Sequence, residues 1–194
     1  MHVFLCDFLL DIVQNSLEAD SGTVSILIEE DRRMIRFTVA DDGKGMSEET
    51  QAKAQDPFYT DGIKHAKRKV GLGIPFLKQT VDETGGEFSL TSAEGKGTTV
   101  RFGFDMMHVD TPPFGDLPST LVAVFSYPAS CEIVAKRSLS TSLGSGKWEV
   151  RRSLLLDALG DLRSSGSLVL LEQYLRSQED DLDAIRISHD PEIR

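Results

Sequence analysis

Three groups of residues have types and spacings that could do chemistry. The first is Asp11, Asn15 and Glu18. Positions i, i+4 and i+7 fall along one face of a helix. Two acids and an amide on such a face describe an ordinary solvent stripe. They also describe a Mg2+-phosphate site, because Mg2+ takes hard oxygen ligands and completes its shell with water and substrate phosphate. An asparagine oxygen can join that shell without adding a charge that repels a triphosphate. The second group is Asp41-Asp42-Gly43-Lys44-Gly45-Met46, directly after an alternating apolar run. Its glycines allow a tight turn and close approach of a flat ligand. A strand-end carboxylate can accept a hydrogen bond from an exocyclic amine such as that of adenine. Any strand-to-helix turn could use the same letters. The third group runs from Asp56-Pro57-Phe58-Tyr59-Thr60 through the basic cluster Lys64, His65, Lys67, Arg68 and Lys69 to Val70-Gly71-Leu72-Gly73-Ile74-Pro75. A glycine-rich turn opening a helix presents free N–H groups and the positive dipole end to phosphate, and the lysines could cover it. A solvated loop before an ordinary helix start fits those letters too.

The elements that must position these residues follow from periodicity. Leu9, Ile12, Val13 and Leu17 recur at helical spacing and predict a helix over 3–19, stopped at Ser21-Gly22. Val24, Ile26 and Ile28, then Ile35, Phe37 and Val39, alternate as two strands of a hairpin with one buried face. Ser47 followed by acids opens a short helix over 46–55. Pro75 near the start and Gly85-Gly86 after the end bracket another helix. EFSLTS and TTVRFGF, joined across GKG, make two more strands. Helices interleaved with single-faced strands predict an α+β chain: a two-layer sandwich whose sheet is mixed and mostly antiparallel, with helices on one face, over 1–106. Residues 107–118, rich in proline and glycine, read as a linker. Residues 119–194 read as a small C-terminal α/β subdomain: strands at STLVAVFSY and CEIVAKR, a polar loop at SLSTSLGSG, helices at KWEVRRSLLLDALGDL and SLVLLEQYLRSQ, and a partly frayed acidic tail.

Composition bounds the function. A net charge of −10 repels a phosphate backbone, so nucleic acid gains no electrostatic support. Cys6 and Cys131 are far apart and outside any CxxC, which speaks against a disulfide scaffold or a zinc site and fits a reducing cytoplasm. The first residues lack a basic n-region and a cleavage pattern, and no run approaches the roughly 18 to 20 apolar residues of a membrane span. A soluble, cytoplasmic protein without a membrane partner is the expectation.

The order NSLEA, DDGKGM, DPFYT, VGLGIPF, GGEFSLTSAEGKGTT is far more specific than any one piece. Over roughly residues 7–104 it resembles the gyrase, heat-shock chaperone, histidine kinase and MutL (GHKL) ATPase superfamily. The resemblance implies Mg2+ on Asn15, the adenine amino group on Asp41, Gly43 and Gly45 under the base with Met46 lining its pocket, and Thr98 near the adenine. It implies Gly71 and Gly73, with Leu72 between them, under a lid over the phosphates, and Phe58 packed beneath it; apart from the resemblance, Lys67 could cover the triphosphate from the loop side, and Lys69 could stiffen the lid or add a phosphate contact. The expected cofactors are ATP and Mg2+. The gyrase and MutL branches carry a glutamate four residues before the asparagine as the base that activates water. Asp11 stands there, one methylene shorter. Glu18 replaces the basic residue of many histidine kinases, and Lys69 replaces the leading glycine of the usual GxGLG.

His2, His65, His108 and His189 lack the helical hairpin of a phosphoacceptor and read as ordinary surface or loop residues. An acceptor would then be another protein, as for the stand-alone kinases of this superfamily. The two expected functions are γ-phosphoryl transfer to such a partner in signal transduction, or a nucleotide-dependent switch with slow hydrolysis. A homodimer and a role for residues 119–194 stay open.

Overall fold

A computed structural model describes residues 3–56 and 73–187. Phe58, Lys67, Lys69, Gly71 and Leu72, with the rest of the basic cluster, lie outside the described residues, as do His2 and His189.

Helix α1 (Leu5–Leu17) is followed by strands β1 (Thr23–Glu30) and β2 (Met34–Asp41), then α2 (Glu48–Ala54) and α3 (Gly73–Glu83), then β3 (Glu87–Ala93) and β4 (Gly97–Asp105). After them come α4 (Leu117–Phe125), β5 (Glu132–Thr141), β6 (Gly144–Arg151), α5 (Arg152–Leu159) and α6 (Ser165–Ile187). The strands form one sheet in the order β3-β4-β2-β1-β5-β6. Its pairings are antiparallel except β1 with β5, which is parallel from Thr23↔Glu132 to Glu30↔Leu139.

Alternation places Val24, Ile26, Ile28, Phe37, Val39, Phe102 and Ile133 on one face of the sheet, all buried. Against them α1 turns Leu5, Phe8, Leu9, Ile12 and Val13. Phe37 and Phe102 are cross-strand partners with rings stacked 4.8 Å apart, a pairing that adds to burial. The other face carries exposed or half-buried residues such as Thr38, Arg101 and Lys136. The mixed sheet with helices on one side is the architecture that the sequence predicts.

The C-terminal half differs from its expected outline. Rather than a sheet of its own, β5 and β6 extend the N-terminal sheet, and one buried cluster runs from Leu5 to Leu182. The proline segment is docked as well: the carbonyls of Pro113 and Phe114 accept from the N–H groups of Leu5 and Cys6, donors left free at a helix start. STLVAVFSY, read as a strand, lies mostly in α4, where Asp116 caps by accepting from the Ser119 backbone and hydroxyl. KWEVR belongs to β6, with Trp148 and Val150 buried, and SLSTSLGSG supplies the β5–β6 hairpin. Helix α6 runs into the acidic tail as far as Ile187, and Leu182 of that tail joins Leu171 and Leu175 in the core.

Far from the strand ends at Asp41, the side chain of Arg137 is fully buried. It pairs with Glu30, which also holds Arg186 at 2.6 Å, and its Nε lies 3.6 Å from Glu179. Trp148 donates to the other Glu179 oxygen at 2.9 Å, and the guanidinium sits 5.5 Å over the Phe114 ring. These contacts tie β1, β5, β6 and α6 together.

Candidate functional site

Asp41 is the last residue of β2, paired on one side with Val24 and on the other with Thr98. Its half-buried carboxylate is held by three donors. Oδ1 accepts from the backbone of Gly43 at 3.0 Å and of Thr98 at 3.2 Å. Oδ2 accepts from the Ser16 hydroxyl at 2.8 Å. With these donors fixing its orientation, the group is set to accept from a ligand donor.

Around it the chain comes too close for side chains. Gly45 has φ +65°, and a Cβ there would fall 1.9 Å from the Ala93 carbonyl oxygen. Gly97 has φ +85°, and its Cβ would fall 1.9 Å from the Asp41 carbonyl oxygen. Only glycine takes both the left-handed backbone and the approach. Gly43 is buried beside Ala19, whose carbonyl oxygen would lie 2.6 Å from an added Cβ. Asp42 turns away from this cradle and accepts from the N–H groups of Gly22 and Thr23.

Helix α1 carries Asp11, half-buried, and Asn15, exposed, and the exposed Glu18 caps its end. Asp7 secures its start by accepting from Val3 and Phe4. Gly73 opens α3 directly against Asp11: a Cβ on Gly73 would stand 3.0 Å from Asp11 Oδ2. A helix N-terminus and a carboxylate therefore face one another across a gap sized for glycine, and the dipole favours anions there.

Met46 and Thr98 join the same cluster through Ser92 on β3. The Ser92 hydroxyl accepts from the Met46 backbone at 2.9 Å and is hydrogen-bonded to the Thr98 hydroxyl at 2.9 Å. The Gln51 carboxamide of α2 then pairs with the Ser92 backbone. Among the described site residues, Asp41, Gly43, Met46 and Thr98 are joined by hydrogen bonds through Ser92, with Gly45 packed close to Ala93, while Asp11 meets Gly73 where α1 faces α3 and Asn15 lies one turn further along α1. Sequence reasoning missed Ser16, Ser92 and Gln51. Ser16 carries a signal in hindsight: it is a polar residue on the apolar stripe of α1, and it is buried.

No cluster of three or more His, Cys, Asp or Glu able to hold a metal occurs among the described residues. An ion held chiefly by phosphate and water needs only one or two protein oxygens, and the exposed Asn15 amide could offer one. His108 is a turn residue whose Nδ1 accepts from the Asp110 backbone. Cys6 and Cys131 are buried and unbridged, and burial pushes the Cys6 thiol up to about 12. No described helix is long and apolar enough to cross a membrane.

Comparison with known proteins gives the same outline. The sensor histidine kinase SpaK of Bacillus subtilis is 36% identical over 96 residues, covering 48% of this chain and 21% of SpaK. The sensor histidine kinase WalK of Bacillus subtilis strain 168 is 34% identical over 99 residues, covering 47% of this chain and 16% of WalK. The chain thus spans about a fifth or less of these relatives' length. A solved structure titled as the N-terminal domain of a DNA repair protein matches with a TM-score of 0.52 at 15% identity, covering 86% of this chain and 59% of that one. That likeness is one of fold, and it reaches beyond β4 into the C-terminal elements. Residues 2–108 match the family described as histidine kinase-, DNA gyrase B-, and HSP90-like ATPase. With more than half its length inside that match, the chain belongs to this ATPase family, whose domains bind ATP.

Proposed function

We propose that this protein binds Mg-ATP between α1, the β2 end and α3, and transfers the γ-phosphoryl group to a partner protein in a cytoplasmic signalling pathway. The observation that supports the reading best is the Asp41 carboxylate, held by three donors in a cradle of Gly43, Gly45 and Gly97. An oriented acceptor suits the adenine amino group and opposes a 6-oxo purine, which would set oxygen against oxygen. Met46 lines the base and Thr98 flanks it. Asn15 holds Mg2+, which when bound neutralises charge on the triphosphate. Gly73 lets the phosphates approach the α3 N-terminus. By the family resemblance, Gly71, Leu72 and Phe58 complete the lid side, and the basic residues Lys67 and Lys69 add positive charge there. In transfer, the bond from the γ-phosphorus to the bridging oxygen breaks as the acceptor's bond forms, and ADP departs.

One observation favours a second reading, an ATP-dependent switch with slow hydrolysis. Asp11 stands at the start of α3, where a carboxylate could orient water. Incubation with ATP radiolabelled on its γ-phosphate, with and without cell extract, separates the two. Label on a second polypeptide supports transfer, and free phosphate alone supports the switch. Asp11→Asn is expected to spare ATP binding and abolish release of free phosphate; full turnover by that variant would remove Asp11 from the chemistry. Calorimetry without any Mg-ATP signal would sink both readings.

A further inference from the structure

We propose that Gln51 is a positioning residue for the nucleotide pocket, latching α2 to the edge of the sheet and so holding Met46 and Thr98 around Asp41. The inference rests on the reading of that pocket as a purine site. Helix α2 has no buried residue, so apolar burial does little to hold it in place. Its attachment to β3 is polar. Gln51 Nε2 donates to the Ser92 carbonyl oxygen at 2.9 Å, and the Ser92 N–H donates to Gln51 Oε1 at 3.1 Å. β3 is an edge strand. The carboxamide therefore makes the rung that a further strand would make, and it covers an edge that would otherwise stay open.

The same carboxamide reaches into the pocket wall. Nε2 also lies 3.3 Å from the Met46 carbonyl oxygen, while the Met46 N–H donates to Ser92 Oγ. Both backbone polar groups of Met46 are thus held by the Gln51–Ser92 pair. Ser92 Oγ further bonds to Thr98 Oγ1 and Gly97 O, and the Thr98 N–H donates to Asp41. A ligand that contacts Met46 and Asp41 tightens this latch. By reciprocity, loss of the latch weakens the ligand by the same factor.

The Ser92 amide proton reports the latch directly, since its acceptor is a side chain. Hydrogen exchange at Ser92 is read by NMR with and without Mg-ATP, alongside calorimetry with Mg-ATP and Mg-ADP. In the natural protein, nucleotide is expected to slow exchange at Ser92. Gln51→Ala is expected to expose that amide and to weaken Mg-ATP and Mg-ADP by one common factor, about 3- to 10-fold, because the latch acts at the base end. Gln51→Glu keeps the acceptor but loses the donor. Its second oxygen then faces the carbonyl oxygens of Ser92 and Met46, acceptor against acceptor, so it is expected to lose Ser92 protection and to weaken both nucleotides at least as much as Gln51→Ala does. Unchanged affinity in Gln51→Ala, a loss confined to ATP, or Ser92 exchange indifferent to nucleotide would each overturn the proposal. A natural protein that binds neither nucleotide overturns the pocket itself, a distinct outcome.

Discussion

Strand β1 joins two polar clusters built on opposite plans. At its start, Val24 pairs with Asp41, whose carboxylate takes three donors yet stays half-buried at the end of the sheet. At its other end, Glu30 accepts from Arg137 and Arg186, and Arg137 is closed in by Glu179, Phe114 and the carbonyl of Ser138. The second cluster is sealed by partners within the chain and has little left to offer a ligand. In the first, the donors orient a group that still faces outward. Buried charge alone is therefore a poor guide to where a ligand would sit; the binding proposed above rests instead on an oriented acceptor beside a glycine cradle.

Substitutions can break that contrast at either end. The largest expected effect is on the sealed side. Glu30→Ala leaves buried Arg137 with the longer contact to Glu179 as its remaining ion pair among the described residues, and should cost about 3–5 kcal/mol of folding stability. Urea melts check this, and the fraction that stays folded should bind nucleotide normally. Next is Asp41→Asn, which puts an amide donor where the purine amine needs an acceptor. A loss of about 100-fold or more in Mg-ATP affinity is expected by calorimetry, with a much smaller change in melting temperature than Glu30→Ala causes. Equal affinity would dissolve the contrast altogether.

A smaller effect sharpens it. Ser16→Ala removes one of the three orienting donors, so Mg-ATP binding should weaken about 3- to 10-fold while discrimination against inosine triphosphate narrows. Weakening without narrowing would mean that Ser16 only packs. The smallest effect belongs to neither cluster and serves as a control. At the β1–β2 turn, the hydrogen bond from Arg36, helped by the backbone N–H groups of Met34 and Arg33, holds the Asp31 carboxyl down at about 2. A depressed carboxylate contributes stability above its unfolded value near 4, and that stability fades as pH falls through about 2. Asp31 is well exposed, so the contribution should stay under ~1 kcal/mol. Acid titration of Asp31→Asn should show slightly less stability at neutral pH and convergence with the natural protein near pH 2.

The first half of the fold was legible because its strands alternate cleanly and its helices carry stops that chemistry dictates. Ile35, Phe37 and Val39 leave no second interpretation, and Pro75 and Gly85 bracket α3. The second half misled for specific reasons. LVAVF in α4 is apolar throughout, and a short run of that kind has no period to read; the Asp116-Leu117-Pro118 cap was the overlooked signal. Trp148 and Val150 alternate, but the leucines of α5 follow so closely that the two patterns merge. Within the candidate site, Asp41, Gly43 and Gly45 stood out through the order of the motifs along the chain, since their own neighbourhood fits any strand-to-helix turn, and Gly97 read only as part of a turn. Ser16, Ser92 and Gln51 did not stand out, because each matters through register across the sheet or across a helix seam, which one-dimensional spacing does not encode.

The parallel pairing of β1 with β5 has a consequence for a chain emerging from the ribosome. The seven elements through β4 can assemble early, but the flank of β1 that receives Thr23↔Glu132 must wait for a distant stretch of polypeptide. Until then an apolar strand offers unmated amides to any neighbour, and closure across so long a loop is slow. Nascent chains stalled short of β5 should therefore lean on chaperones more heavily than chains released past it.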